Sequence, residues 1–261
     1  MSVEQSVRRY PEMQGKTALV TGGTSGIGLA AAQAFVREGA SVVLASRDET
    51  RAQAALKTFP EGAVVSWTLC DTASGPSVTR LMDAVQSRHG RLDYAFNNGG
   101  SSGGGGPIAT MSEDTWRRAI DGYLTSVFLC MRQQIPAMLA GGGGVIVNNS
   151  SVDGLRGYPF PGGGAYAAAK HGVLGLTKSA ALEHASSGLR ITAVCPGWVA
   201  TPPVTGWMDH DPKIGTDIIR QTPRGRIGTA EEIANAVVWL CSDAASFMIG
   251  SPLIVDGGYM A

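Results

Sequence analysis

Thr21-Gly22-Gly23-Thr24-Ser25-Gly26-Ile27-Gly28 is the stretch that decides how this chain is read. An apolar run at 17–21 ends in it, and an alanine-rich amphipathic stretch leaves it. A strand that turns through glycines into a helix aims free backbone N–H groups, and the positive end of the helix dipole, at whatever lies above the turn. Glycine lets the backbone approach a phosphate closely. Gly22, Thr24, Ser25, Gly26, Ile27 and Gly28 are therefore a candidate pyrophosphate cradle. The spacing Gly-x-x-x-Gly-x-Gly departs from the usual dinucleotide fingerprint, which leaves a plain glycine-rich turn as the alternative at this point.

Outward from the turn, apolar runs alternate with helical patterns. Strands are expected at 17–21, 41–46, 64–70, 94–97, 144–149, 190–195 and 253–255, and helices at 26–38, 49–58, 77–89, 112–139, 165–185 and 230–242. The strand runs are short and rich in Val, Ile and Leu, as in strands buried on both faces. The alternation predicts one α/β domain over 15–261, built on a doubly wound parallel seven-stranded sheet with helices on both faces. Residues 1–14 read as a flexible N-terminal arm. Glycine runs at 103–106, 141–144 and 162–164 read as loop connections; the first and third follow strands at the carboxyl edge, where they could also make a roomy pocket wall.

Composition excludes several classes. The 261 residues carry no formal net charge, against a nucleic-acid or membrane-surface protein, whose footprint is basic. Charged residues are 16% of the chain, below the usual ~25%, so partner subunits are expected to cover part of the surface. The four cysteines are scattered, with no CxxC pair and no histidine at ligand spacing, so no metal site is expected and a reducing cytoplasm is. Residues 1–14 hold no apolar signal segment, and no run approaches the ~20 residues of a membrane span.

The second strand normally ends at the adenine ribose, where an acid would bind the 2′-hydroxyl. Here it ends Leu44-Ala45-Ser46-Arg47. A neutral hydroxyl followed by a guanidinium suits a 2′-phosphate, which favours NADP(H). Asp48 follows directly, and NAD(H), with Arg47 an ordinary surface arginine, stays open.

These residues, with Asp71, Asn97-Asn98-Gly99-Gly100, Ser150-Ser151, Tyr166-x-x-x-Lys170, Pro196-Gly197 with Thr201, and Val255-Asp256-Gly257-Gly258, occur in a fixed order over 15–258. In that order the chain resembles the compact, single-domain short-chain dehydrogenases/reductases. The resemblance implies a Rossmann-type fold and a nicotinamide cofactor. It implies that Asp71 contacts adenine, that Asn98 lies in the cofactor-lining loop, that Val199 and Thr201 hold the nicotinamide carboxamide, and that Asn97 serves the sheet rather than the ligand. It also implies a homotetramer packed through the segment ending at Gly258.

Tyr166 and Lys170 are four residues apart and share a helix face. Reduction of a carbonyl leaves an oxygen that needs a proton, and a free tyrosine, with a pKa of ~10, is a poor donor at neutral pH. The Lys170 ammonium and a cationic nicotinamide ring would lower that value, and Lys170 could also bind the nicotinamide ribose. Ser151 would donate to the substrate oxygen. It is preferred to Ser150 because Ser151-Val152-Asp153-Gly154 matches the family's Ser-x-x-Gly register. The Ser151-to-Tyr166 separation is longer than usual in the family, an insertion that the glycines at 162–164 can absorb.

One departure stands out. The family places an asparagine seven residues after a tryptophan in its fourth helix, where it helps hold a water that relays protons to the lysine. Here Tyr123 follows Trp116 at that spacing. Expected substrate walls are the loop at 101–107, Leu155, Arg156, Tyr158 and Phe160 after Ser151, and a lid near 202–221 with Val204, Trp207 and Met208. Their apolar character suggests a fairly hydrophobic ketone or secondary alcohol as the small-molecule partner. Alternatives are an NAD-dependent alcohol or polyol dehydrogenase and, because of Tyr123, a cofactor-binding protein with little turnover.

Overall fold

All five residues of the first strand, β1 (Thr17–Thr21), are buried. Ala18 and Val20 pack into one hydrophobic cluster and Leu19 into another on the opposite face. This burial on both sides is why the strand reads as an unbroken apolar run. The computed structural model describes residues 9–100, 105–160 and 162–261. β1 is followed by β2 (Ser41–Ser46), β3 (Val65–Leu69), β4 (Tyr94–Asn97), β5 (Gly144–Asn149), β6 (Leu189–Pro196) and β7 (Pro252–Val255). They form one sheet of order β3-β2-β1-β4-β5-β6-β7, with every pairing parallel. Winding reverses between β1 and β4, where Thr21 lies opposite Asn97, and a crevice opens there at the carboxyl ends.

Helices α1 (Gly26–Arg37) and α2 (Glu49–Leu56) follow β1 and β2, and α3 (Gly75–His89) follows β3. Between β4 and β5 lie α4 (Glu113–Ile120) and α5 (Ser126–Ala140); α6 (Gly164–His184) joins β5 to β6. After β6 come α7 (Pro202–His210), α8 (Pro212–Gln221) and α9 (Ala230–Cys241). Residues of α1, α2 and α9 pack on one face, and residues of α3, α5 and α6 on the other. Each fully buried aliphatic or aromatic side chain, such as Leu19, Phe35 or Ile191, contributes about 1.5–3 kcal/mol.

Two expectations change, and a third region gains detail. The helix read over 112–139 is broken by a π-helical turn, Asp121–Thr125, between α4 and α5. The region read as a lid near 202–221 is two short helices, each started by a proline, with Asp211 capping the second through the Lys213 N–H. The arm expected to be loose over 1–14 is anchored from Arg9 onward: the Arg9 and Tyr10 N–H groups donate to Glu38 Oε2 at 2.9 Å, and Met13 is fully buried. Residues 1–8 lie outside the described residues. All four cysteines are buried and free. Among the described residues no helix is long and apolar enough to cross a membrane, and no His/Cys/Asp/Glu cluster could hold a metal.

Candidate active site

The glycine turn sits at the carboxyl end of β1. Gly22 and Gly26 have φ of +62° and +50°, and a Cβ on Gly28 would run into the Gly22 carbonyl oxygen, so the turn closes onto α1 only with these glycines. Beside it is a cavity of about 370 Å³. Gly22, Thr24, Ser46, Arg47, Asp71 and Gly99 line it, with Arg51 at the same end as Arg47. Ser25 is the residue before α1, and Ile27 packs partly against the core.

At the far end of β2, Ser46 is already engaged: its hydroxyl accepts from Trp67 Nε1 at 2.9 Å and donates to the Asp48 carbonyl. Asp48 caps α2 and pairs with Arg51 Nε at 3.2 Å. Of the short run 46–48, the exposed Arg47 guanidinium is what the cavity presents to an anion. Arg51 stands four residues on, a helical spacing the sequence offered and the sequence reading missed.

Asn98 faces the turn rather than the cavity. Its amide donates to the Thr21 and Gly22 carbonyls at 3.2 and 3.4 Å, and its Oδ1 accepts from Asn149 at 2.9 Å. Behind it, Asn97 exchanges bonds with Gln134 at 2.9 and 2.8 Å and donates to Asn148 Oδ1 at 2.9 Å. Asn148 in turn donates to Thr177 at 2.9 Å. This buried amide ladder ties β4 and β5 to α5 and α6 just under the site. Val199 is buried in the core, and Thr201, the residue before α7, lies over Gly26.

Ser151, Tyr166 and Lys170 meet where β5 ends and α6 begins. Lys170 is 6% exposed, and its ammonium donates to the Asn149 carbonyl at 2.7 Å. Its Nζ stands 5.1 Å from the Tyr123 ring centre and 5.5 Å from that of Tyr166. Burial pulls the Lys170 pKa down to about 8. Ser150 is committed elsewhere, donating to the Lys170 carbonyl at 2.9 Å, which leaves Ser151 as the hydroxyl of the site. Ser151 Oγ donates to Asp153 Oδ2 at 3.2 Å.

The lowered Tyr166 pKa expected from the sequence is not what this structure gives. Burial pushes the phenol up, opposed by a hydrogen bond with Ser151 and reinforced by Tyr123, Asp153 and Tyr158. Lys170 lies over the ring face rather than at the phenol oxygen, so its charge does not offset the lost hydration.

The rings of Tyr158, Phe160 and Trp198 pack mutually at centroid distances of 6.0–6.5 Å, and Tyr158 meets Tyr166 at 5.9 Å. Trp198 was not read from the sequence as a pocket residue. Arg156 lies over the Tyr259 ring at 5.1 Å, and Leu155 packs with Leu174, Ala193 and Cys195 rather than forming a wall. Part of the expected wall at 101–107, residues 101–104, lies outside the described residues.

Residues 22–260 match the family model described as enoyl-(acyl carrier protein) reductase. The chain belongs to the short-chain dehydrogenase/reductase family. Among relatives, it is 39% identical over 246 residues to the A-factor type gamma-butyrolactone 1'-reductase of Streptomyces virginiae, covering 94% of this chain and 95% of that one. It is 40% identical over 248 residues to the cyclohexanol dehydrogenase of Acinetobacter sp. (strain SE19), covering 94% of each. Among solved structures, an actinorhodin polyketide ketoreductase with NADPH superposes with a TM-score of 0.88 at 36% identity, covering 94% of this chain and 97% of that one. As a member of this family the protein is an NAD(P)-dependent dehydrogenase/reductase, consistent with the glycine turn and the residues gathered around it.

Proposed function

We propose that the protein is an NADP(H)-preferring oxidoreductase that interconverts a fairly hydrophobic cyclic ketone and its secondary alcohol. The observation that carries this reading is the convergence of Ser151, Tyr166 and Lys170, together with a cavity that runs from the glycine turn to Arg47 and Arg51. The nicotinamide group, when bound, supplies or accepts the hydride. The glycine turn from Gly22 to Gly28, with Thr24 and Ser25, receives the pyrophosphate on backbone N–H groups. Arg47 and Arg51 receive the 2′-phosphate, Asp71 meets adenine, and Val199 and Thr201 meet the nicotinamide end. Asn98 acts indirectly, by holding the turn.

Ser151 donates to the substrate oxygen and stabilises its developing charge. Tyr166 passes the proton to that oxygen, or takes it in the reverse direction. Lys170 binds the nicotinamide ribose. Tyr158, Phe160 and Trp198 supply an apolar wall. A ring substrate is supported by that wall and by the relatives, whose names specify a lactone and cyclohexanol.

The test is cofactor oxidation by the purified protein, with NADPH and NADH in parallel, across aliphatic, cyclic and aromatic ketones. Turnover of cyclic ketones with NADPH preferred is the expected result; equal use of NADH would remove the phosphate assignment. A second reading, a cofactor-binding protein with little turnover, is favoured by Tyr123 packed on both Tyr166 and Lys170. Tight NADPH binding with no ketone reduced would select it. A cytoplasmic homotetramer is the assembly inferred, with exposed apolar residues such as Leu182 and Ile254 available for subunit contact. Light scattering on the purified protein tests it.

A further inference from the structure

Asp153 follows Ser151 by two residues, on the single turn Val152–Gly154, and is only 6% exposed. Its Oδ2 accepts the Ser151 hydroxyl at 3.2 Å, and its backbone N–H donates to the same Ser151 Oγ at 3.1 Å. The other carboxyl oxygen, Oδ1, is buried and has no hydrogen-bond partner among the described residues. An ionised carboxylate in such a place is costly. It also takes the one proton that Ser151 would offer to a carbonyl oxygen.

A hydroxyl has one proton and two lone pairs. If the Asp153 carboxyl is protonated, the bond to Ser151 reverses: Oδ2–H donates, the backbone N–H of Asp153 fills the second lone pair, and the serine proton turns to the side of Tyr166, its other partner, where a substrate oxygen would lie. The surroundings work against the charged form. Burial pushes the carboxyl up, while Ser151, Arg156 and His171 hold it back. Neither side chain is committed to Asp153: Arg156 lies over the Tyr259 ring, and His171 Nδ1 is 2.9 Å from the Ala167 carbonyl. From α6, Tyr166 and Lys170 also face this turn; Tyr158 follows it in the chain, and Cys195 on β6 carries a thiol pushed up to about 11 by burial. The Asp153 charge works against ionisation of both Tyr158 and Tyr166.

We propose that Asp153 is a positioning residue whose proton gates the Ser151 hydroxyl. When neutral, it releases the serine proton to the substrate oxygen; when ionised, it holds that proton and opposes negative charge at Tyr166. The inference rests on the oxidoreductase reading, which gives Ser151 an oxygen to donate to.

The test compares the whole wild-type chain with Asp153→Asn, whose amide always has a proton to donate. With NADPH and a cyclic ketone, wild-type kcat is expected to fall about a hundredfold from acid to mildly alkaline pH. Asp153→Asn is expected to lack that step, keep the acid-limb rate and bind NADPH as the wild type does. The same step in both proteins would overturn the proposal. A second measurement needs no turnover: the infrared difference spectrum, wild type minus Asp153→Asn. A band of a protonated carboxylic acid that disappears on raising the pH is expected. Its absence at every pH where the protein is folded would overturn the gate. A protein that reduces no ketone but shows the band would refute the oxidoreductase reading and leave the protonated Asp153 standing.

Discussion

The ring of Tyr123 stands edge-on to that of Tyr166, with centroids 4.9 Å apart and an interplanar angle of 86°. The same ring lies over the Lys170 ammonium, at 5.1 Å. Gly100 makes the arrangement possible, because a Cβ there would come within 2.6 Å of the Tyr123 ring. One aromatic side chain therefore covers two members of the proposed catalytic group, at the position where the resemblance leads one to expect a small amide. The π-helical turn Asp121–Thr125 carries it into place.

Removing that cover should ease the desolvation of both partners. Tyr123→Asn is expected to lower the Tyr166 pKa and raise that of Lys170, moving the pH–rate profile for ketone reduction towards acid and increasing kcat severalfold. A pH series on the variant checks it. A fall of kcat to background would instead make the Tyr123 phenol part of the proton path.

The acid/base assignment is tested more directly at Tyr166. Tyr166→Phe keeps the ring that packs against Tyr123 and Tyr158 and removes only the proton carrier. Turnover should drop by at least about a hundredfold, with NADPH affinity changed less than about twofold. Retention of a tenth of the rate would sink the role.

Much of the fold was legible because its elements are uniform. β1, buried on both faces, can only be an unbroken apolar run, and the glycines after it leave few alternatives. The π turn was not legible: one extra residue in a helix leaves the pattern of apolar residues around Trp116 and Phe128 nearly unchanged, while rotating Tyr123 onto Lys170. Asp153 lay in plain sight within the Ser-x-x-Gly register, but its burial depends on how α6 closes over the turn. The anchoring of Arg9 and Tyr10 depends on Glu38, far along the chain, and no local pattern announces it.

Cofactor choice turns on the end of β2. Arg47 is exposed in the cavity while Asp48 is occupied by the α2 cap and Arg51, so the local charge open to a ligand is positive. Arg47→Asp should shift the ratio of kcat/KM for NADPH over NADH towards NADH by ten- to a hundredfold, the size of one charge-assisted contact at about 1.5–3 kcal/mol. An unchanged ratio would leave the phosphate without its proposed partner.

Lys170 links the site to the stability of the whole domain. Burial holds its folded-state pKa at about 8, against 10.5 for a free lysine. Below pH 8 the amine is charged in both states and the folded protein bears the whole cost of burying it. Between those two values the unfolded chain binds more protons, so stability from this residue rises with pH. Lys170→Met removes the charge but leaves the Asn149 carbonyl without its 2.7 Å donor, a loss of about 1 kcal/mol or more. At neutral pH the variant is expected to be inactive yet more stable than the wild type, by about 1–2 kcal/mol once that loss is set against the relieved burial. The difference should shrink, then change sign, as pH is raised through 8 towards 10.5. Denaturant unfolding of both proteins across that interval measures it, and a difference independent of pH would show that Lys170 is not buried as a charged group.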